Sequence, residues 1–238
     1  MKRPIALLSS LILLFIFSSC IYTGPSVKGN GNVVEENRKV GDFEKIEISR
    51  GMNVYISKGD NRKVVVEADE NLQEIIEVRT EDDLLIIKAK QNIRNAKTKK
   101  VFVSAPHISK IKSSSGSNVY SETKLPFKKI ELSSSSGSNM NLDVSSETIE
   151  ASASSGSNIK IKGKTKNFMC KTSSGSNVKA EKLKSEICTA KASSGSNIWI
   201  SVTESLDANV SSGSNVFVSG DPVKKNIDKS SGGNVIIN

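Results

Sequence analysis

Apolar residues recur at odd distances from a repeated glycine. Three positions after it stand Val119, Met140, Ile159, Val178, Ile198, Val216 and Val235. Five after it stand Ser121, Leu142, Ile161, Ala180, Ile200, Val218 and Ile237. Five before it stand Ile111, Leu132, Ala151, Cys170, Ala190, Ala208 and Ile227. Odd offsets give strict alternation, the strand period of two, and nothing here recurs at 3.6.

The glycines themselves define a period. Gly116, Gly137, Gly156, Gly175, Gly195 and Gly213 centre copies of Ser-Ser-Gly-Ser-Asn, and Gly232 centres Ser-Ser-Gly-Gly-Asn. Their spacings are 21, 19, 19, 20, 18 and 19 residues. Strands repeating every ~19 residues with no crossover helix predict an all-β fold, a right-handed parallel β-helix whose coils stack at ~4.8 Å. Stacking aligns Asn118, Asn139, Asn158, Asn177, Asn197, Asn215 and Asn234 into an amide ladder. Each glycine supplies a bend or a positive φ. Unbroken parity across the pentapeptide puts the serines flanking each glycine inward, so Ser136, Ser155, Ser174, Ser194 and Ser212 form a buried ladder bonded within itself or to carbonyls. On that reading, valine is tolerated better at one of these serines than at a turn glycine. Differences in coil length are assigned to loops after each second strand, at 122–129, 145–147, 163–167, 181–186, 203–205 and 220–225.

Residues 38–112 read as a broader N-terminal β-region, continuous with the repeat at 113–238 and capping one of its ends. Ile46-Glu-Ile-Ser-Arg-Gly51-Met-Asn53-Val54-Tyr-Ile56 matches the repeat, with Arg and Met replacing two serines. Further strands are predicted at 63–67, 75–79, 84–88 and 101–104, with turns at Asp60-Asn61 and Glu81-Asp82-Asp83.

Composition acquires its meaning from this pattern. Of 40 serines, 31 lie from Ser113 onward, and only 5% of residues are aromatic. A narrow interior of Ser, Ala and Val explains both. One histidine and no Cys/His cluster argue against a zinc site or a histidine-dependent hydrolase, and neither cofactor nor metal is expected. The turns offer Ser and Asn without carboxylates, which suits calcium poorly. The loop acids Glu122, Glu147, Glu181, Glu204 and Asp221 sit singly, and His107 has no nucleophile beside it. Cys170 and Cys188 fall two strand residues out of stacking register and are expected as buried free thiols.

The N-terminus carries an address. Lys2 and Arg3 precede an apolar run from Ile5 to Phe17, then Ser18 and Ser19, so 1–19 read as a signal peptide, too short for a membrane span. Residues 20–37 read as an anchor and flexible tether. Removing 1–19 leaves 32 Lys+Arg against 25 Asp+Glu. These lysines are scattered among acids without an Arg-rich helix or aromatic RNA-binding motif, so nucleic acid is not an expected partner. Four positions after the glycines, outward residues include Tyr55, Tyr120, Asn141, Lys160 and Lys179. Trp199, Phe217 and Ile236 follow on successive coils as an apolar stripe for a glycan, a protein or a second copy of the chain.

Two resemblances extend this reading. Phe17-Ser18-Ser19-Cys20 resembles a bacterial lipobox, which implies lipidation of Cys20. Ile21 after it, in place of the Asp of inner-membrane lipoproteins, implies the outer membrane. The series Phe43-Glu-Lys-Ile46-Glu-Ile, Gly51-Met-Asn-Val-Tyr-Ile, Val64-Val-Val-Glu-Ala-Asp69-Glu-Asn-Leu72, Leu84-Leu-Ile-Ile and Ala105-Pro106, with the repeated Ser-Gly-Ser-Asn, resembles the head GIN domain family. That resemblance implies a β-helical, adhesin-like envelope protein without catalytic residues. The expected function is therefore a non-catalytic envelope lipoprotein presenting a rigid binding or scaffold surface. The competing expectation is a β-helix that binds or processes carbohydrate.

Overall fold

A computed structural model describes residues 25–237. The predicted signal segment and Cys20 lie outside the described residues. The chain opens with β1 (Ser26–Lys28) and β2 (Val33–Arg38), then β3 (Lys45–Ile48) and β4 (Asn53–Lys58). After β5 (Lys63–Asp69) and a 3₁₀ turn at Glu70–Leu72 come β6 (Ile76–Glu81), β7 (Leu84–Ala89), β8 (Asn92–Arg94) and β9 (Lys99–Ala105). The repeat supplies β10 (Lys110–Ser113), β11 (Asn118–Ser121), β12 (Lys129–Ser134), β13 (Asn139–Ala153), β14 (Asn158–Thr172) and β15 (Asn177–Ala192). It continues as β16 (Asn197–Val210), β17 (Asn215–Ser219), β18 (Lys224–Lys229) and β19 (Asn234–Ile237).

All strands except β1 and β8 belong to one 17-stranded sheet wound into a parallel β-solenoid. Face A consists of strands that enter each Ser-Gly turn, and face B of strands that leave it. On face A, Ile46, Ile111, Leu132, Ala151, Cys170, Ala190 and Ala208 lie in register from coil to coil. On face B, Val54, Val119, Met140, Ile159, Val178, Ile198 and Val216 do the same. All these side chains are buried in one core. Inward Ile227 and Ile237, in β18 and β19, remain 36% and 38% exposed because no described strand covers that coil.

Stacking order departs from chain order at the N-terminal end. β7 and β9 pair parallel beneath β3 and β4, although they follow them in sequence. Antiparallel β6 then closes face A, and antiparallel β5 and β2 close face B. Antiparallel pairing ends the winding, because a reversed strand cannot continue the coil. This is the cap expected of the N-terminal region.

The stretch assigned to a flexible tether is in part folded. β2 pairs with β5 from Val33–Asp69 to Arg38–Val64, and β1 pairs with β8. A buried carboxylate draws this segment in. Asp69 accepts hydrogen bonds from the backbone N–H of Gly31, Lys97 and Thr98 at 2.9, 3.2 and 3.0 Å. Burial alone would raise the carboxyl pKa, but these amides outweigh it and hold it below the ordinary 3.8. A carboxyl whose pKa is lower folded than unfolded stabilises the protein above its unfolded pKa, and that contribution disappears as pH falls through the folded value. Asp69→Asn is therefore expected to cost on the order of 3 kcal/mol at neutral pH, since an amide NH₂ opposes the N–H donors. Denaturant titrations at neutral and acid pH check this: the gap between variant and wild type should narrow as acid is added.

The turn corrects the serine register. Ser115, Ser136, Ser155, Ser174, Ser194 and Ser212 have φ of 50–53°, and the glycines after them 66–71°. Two successive positive φ values make a tight four-residue turn, closed for example by Ser176 N–H to Ser173 O at 3.2 Å. The chain thereby swings the serine before each glycine outward, and Ser136, Ser155, Ser174, Ser194 and Ser212 are exposed. Parity is kept by the serine after the glycine: Ser117, Ser138, Ser157, Ser176, Ser196 and Ser214 are fully buried. The strained conformation is locked by stacking, because each turn glycine donates its N–H to the next coil's exposed serine carbonyl, as Gly156 does to Ser174 at 3.1 Å. Valine at Ser174 is therefore expected to be poorly tolerated, since a β-branched residue strongly resists φ near 51°, as it does the 68° of the Gly175 beside it. Asparagine suits that position, and Asn-Gly is the preferred pair for such turns. Ser174→Asn is expected to raise stability by roughly 0.5 kcal/mol, seen as a higher thermal midpoint.

Differences in coil length are not carried by loops throughout. Residues 145–147, 163–167, 181–186 and 203–205 lie inside the continuous strands β13 to β16. Bulges absorb the extra residues, with register shifts between Lys160 and Lys162 and again between β15 and β16. The cause is packing: the extra residue in β15 lets Leu183, rather than Lys182, point into the core.

Candidate binding surface

Face B presents two outward rows. Nearest the turn, the asparagines form a continuous ladder that begins at Asn53, one coil before the repeat. Each side-chain Nδ2 donates to the Oδ1 of the coil before it, from Asn118 onto Asn53 at 2.9 Å to Asn234 onto Asn215 at 3.3 Å. The amides fix one another's rotamers, so this edge of the face is held rigid.

Two residues further along each strand runs the second row. Register aligns Phe102, Tyr55, Tyr120, Asn141, Lys160, Lys179, Trp199, Phe217 and Ile236. Trp199 and Phe217 stack with centroids 5.1 Å apart and planes within 10°. Ile236 continues the stripe and is 42% exposed. The Lys179 ammonium lies 5.5 Å from the Trp199 ring centre, a cation–π contact. The three predicted stripe residues thus come together.

A second aromatic stack occupies the other end of the row. Tyr55 stacks between Phe102 at 5.2 Å and Tyr120 at 5.1 Å. Tyr55 and Tyr120 share the offset of the stripe and were legible. Phe102 lies outside the period, and only the out-of-order position of β9 places it there. Four strand steps, roughly 19 Å, separate Tyr120 from Trp199.

The groups that would support catalysis are dispersed. Among the described residues no three His, Cys, Asp or Glu side chains cluster as a metal site. Glu122, Glu147, Glu181, Glu204 and Asp221 are exposed. Asp221 accepts from Lys225 Nζ at 2.6 Å, which lowers its pKa. One juxtaposition was missed: Glu147 and Glu186 both line a shallow groove of about 670 Å³ with Lys128, Lys164, Lys166 and Lys184. Both carboxylates are exposed, without the burial that holds a general acid protonated. His107 packs edge-on against Phe127 and lies 3.9 Å from Glu44.

Cys170 and Cys188 are free and buried. Register sets Cys188 opposite Phe168, not opposite Cys170. Hydrogen bonding to the Cys188 thiol, then burial, push the Cys170 thiol well above its ordinary range. It is an inert core group.

Comparison with known proteins agrees with this geometry. A family model described as "Putative auto-transporter adhesin, head GIN domain" matches residues 42–222. A "putative adhesin" from Bacteroides fragilis superposes with a TM-score of 0.83 at 19% identity, covering 89% of this chain and 100% of its own. A "putative adhesin" from Parabacteroides distasonis gives a TM-score of 0.74 at 20% identity, covering 90% of this chain and 100% of its own. A "putative lipid binding protein" from the same organism gives 0.73 at 16% identity, with the same coverage. At these identities the structural likeness establishes the fold. No curated protein matches the chain.

Proposed function

Because the chain belongs to the head GIN domain family, we propose that it is an adhesin-like, non-catalytic binding module of the cell envelope. Its signal segment directs export and is removed, lipid on Cys20 anchors the remaining chain to the outer membrane, and face B meets a glycan or protein partner. The observation that carries this reading is the outward row of face B. Parallel, half-exposed rings at Trp199 and Phe217 are held at strand spacing by a backbone with no freedom to collapse. Flat rings presented this way stack on apolar sugar faces or anchor a protein contact. Rigidity also lowers the ordering cost of binding, since the side chains are already placed. The exposure of the loop carboxylates, including Glu147 and Glu186 in their shared groove, supports binding over turnover.

A glycan array probed with the detergent-solubilised full-length protein tests the proposal. Retention on a defined set of glycans, with those glycans chemically unchanged after prolonged contact, is the expected result. Release of shortened glycan would replace the proposal with an enzyme.

A further inference from the structure

The net charge of this protein is concentrated in two adjacent strands. β14 and β15 contain nine lysines, Lys160, Lys162, Lys164, Lys166, Lys171, Lys179, Lys182, Lys184 and Lys191, against Glu181 and Glu186. Residues 20–238 hold 32 basic and 25 acidic side chains, so outside these strands the two signs balance at 23 each. The excess of +7 belongs entirely to one belt of the solenoid.

Within the belt, lysine stands opposite lysine. The register pairs Lys160 with Lys179, Lys162 with Lys182, Lys164 with Lys184 and Lys171 with Lys191. All eight are exposed. Elsewhere the same sheet sets opposite charges side by side. Lys110 meets Glu131 at 2.8 Å, Lys112 meets Glu47 at 3.0 Å and Lys100 meets Glu67 at 2.9 Å. Like charges directly opposite across a strand pair destabilise it. Of the eight stacked lysines, only Lys162 has a carboxylate within 4 Å among the described residues, Asp143 at 3.4 Å. The bulge in β15 sharpens the contrast, because an unshifted register would place Glu181 opposite Lys162, and the observed one places Lys182 there. Three successive repulsive pairs at ~4.8 Å, with a fourth on face A, are a standing cost that an external anion removes.

We infer that the three pairs Lys160/Lys179, Lys162/Lys182 and Lys164/Lys184 are a binding site for a linear acidic polysaccharide. The array follows the strands for roughly 14 Å, is two side chains wide, and leads into the groove that adds Lys128 and Lys166 and, with them, Glu147 and Glu186. A strip of this shape fits one extended chain of repeated negative charges. A membrane surface is flat, yet the fourth pair, Lys171/Lys191, lies past the corner on face A, where such a plane cannot also reach. Single-stranded nucleic acid stacks successive bases on aromatic platforms between the charges, and the rings here, Trp199 beside Lys179 and Phe127 in the groove, stand only at the two ends of the strip. Trp199, beside Lys179, lies at the edge of the strip, where it offers a flat face to a sugar ring. This site borders the aromatic stripe of face B at Trp199, but its charge comes from the lysines alone.

The test uses detergent-solubilised full-length protein, polygalacturonate as the acidic probe and dextran as the neutral one, with phosphatidylglycerol vesicles as a separate arm. Wild type is expected to bind polygalacturonate, more weakly as salt is added, and to ignore dextran at this site. The variant Lys162→Gln/Lys164→Gln/Lys182→Gln/Lys184→Gln should bind at least about tenfold more weakly. It relieves repulsion, so its thermal midpoint should not fall. Lys39→Gln/Lys58→Gln/Lys63→Gln/Lys124→Gln removes the same charge elsewhere and should change binding less than about twofold. Equal losses in the two variants, or capture by vesicles without polygalacturonate binding, would overturn the inference. The lysine variant keeps the two readings separate, because it leaves Trp199 and Phe217 in place and stacking by the aromatic stripe is then measured by itself.

Discussion

Gly163→Ala is expected to destabilise the protein by on the order of 4 kcal/mol, far more than alanine at a turn glycine. Gly163 sits inside β14, has φ of 126°, and is packed against the coil before it. A Cβ built there would lie 2.0 Å from the Val144 carbonyl oxygen and 2.9 Å from its carbon. Backbone cannot move aside as a flexible side chain would, so the two coils must separate or the strand must change its φ. Gly156 provides the control. Its φ is 70°, and a Cβ there meets nothing within 4 Å. Gly156→Ala pays only the cost of the left-handed conformation, about 1 kcal/mol. Thermal melts distinguish the two readily, since 4 kcal/mol moves the midpoint by roughly 8–16 °C in a protein of this size. Equal shifts would mean that the coils are not in the contact described.

Ser176→Val is expected to cost about 2–4 kcal/mol. The Ser176 hydroxyl is fully buried. Its Oγ lies 2.7 Å from the Ala153 carbonyl in the preceding coil and 2.8 Å from the Ser173 carbonyl, close enough to donate to either. It also accepts the Ser173 N–H at 3.2 Å. This one oxygen therefore ties the turn to itself and one coil to the next. Valine is larger than serine by one methyl group, so it overpacks the fully buried site and also leaves buried polar groups short of partners; an isolated unsatisfied group costs about 1–3 kcal/mol. Ser176→Ala and Ser176→Cys make the distinction clear. If the hydroxyl matters, valine and alanine should both fall well below wild type in denaturant midpoint. If only volume matters, cysteine should rescue fully.

The period made the solenoid legible because the buried positions flanking each turn, at offsets of three and five, lie at odd distances from a glycine. Side chains that alternate strictly have only one face to bury. The errors come where local backbone geometry overrides counting. Ser174 and its equivalents lie one residue from a glycine and should point inward by parity, but the paired positive φ values turn them out and hand the inward place to Ser176. The distinction was invisible because both are serines. The stretch 33–37 reads as part of the tether that the Thr, Gly, Pro, Ser and Asn of 21–32 begin. It is folded through backbone pairing with β5 and through Asp69, a residue 31 positions beyond Arg38.

The surface was legible in proportion to its regularity. Trp199, Phe217 and Ile236 share one offset and were found. Phe102 joins Tyr55 only because β9 slips beneath β4 out of chain order, which no period encodes. The Lys162–Lys182 pair depends on a bulge that counting places elsewhere, so the lysines appeared scattered along the chain. Only the register gathers them into one belt.

The central claim is that face B is a binding surface and that its aromatic stripe makes the contact. The most direct measurement compares retention of full-length wild type, Trp199→Ala/Phe217→Ala and Met169→Ala on the glycans or proteins that the wild type captures. Met169 is an exposed apolar residue on face A and controls for loss of hydrophobic surface. The account predicts that the double variant keeps the wild-type circular dichroism and thermal midpoint and loses at least about tenfold in affinity, while Met169→Ala binds as the wild type does. Undiminished binding by a folded Trp199→Ala/Phe217→Ala protein would contradict it.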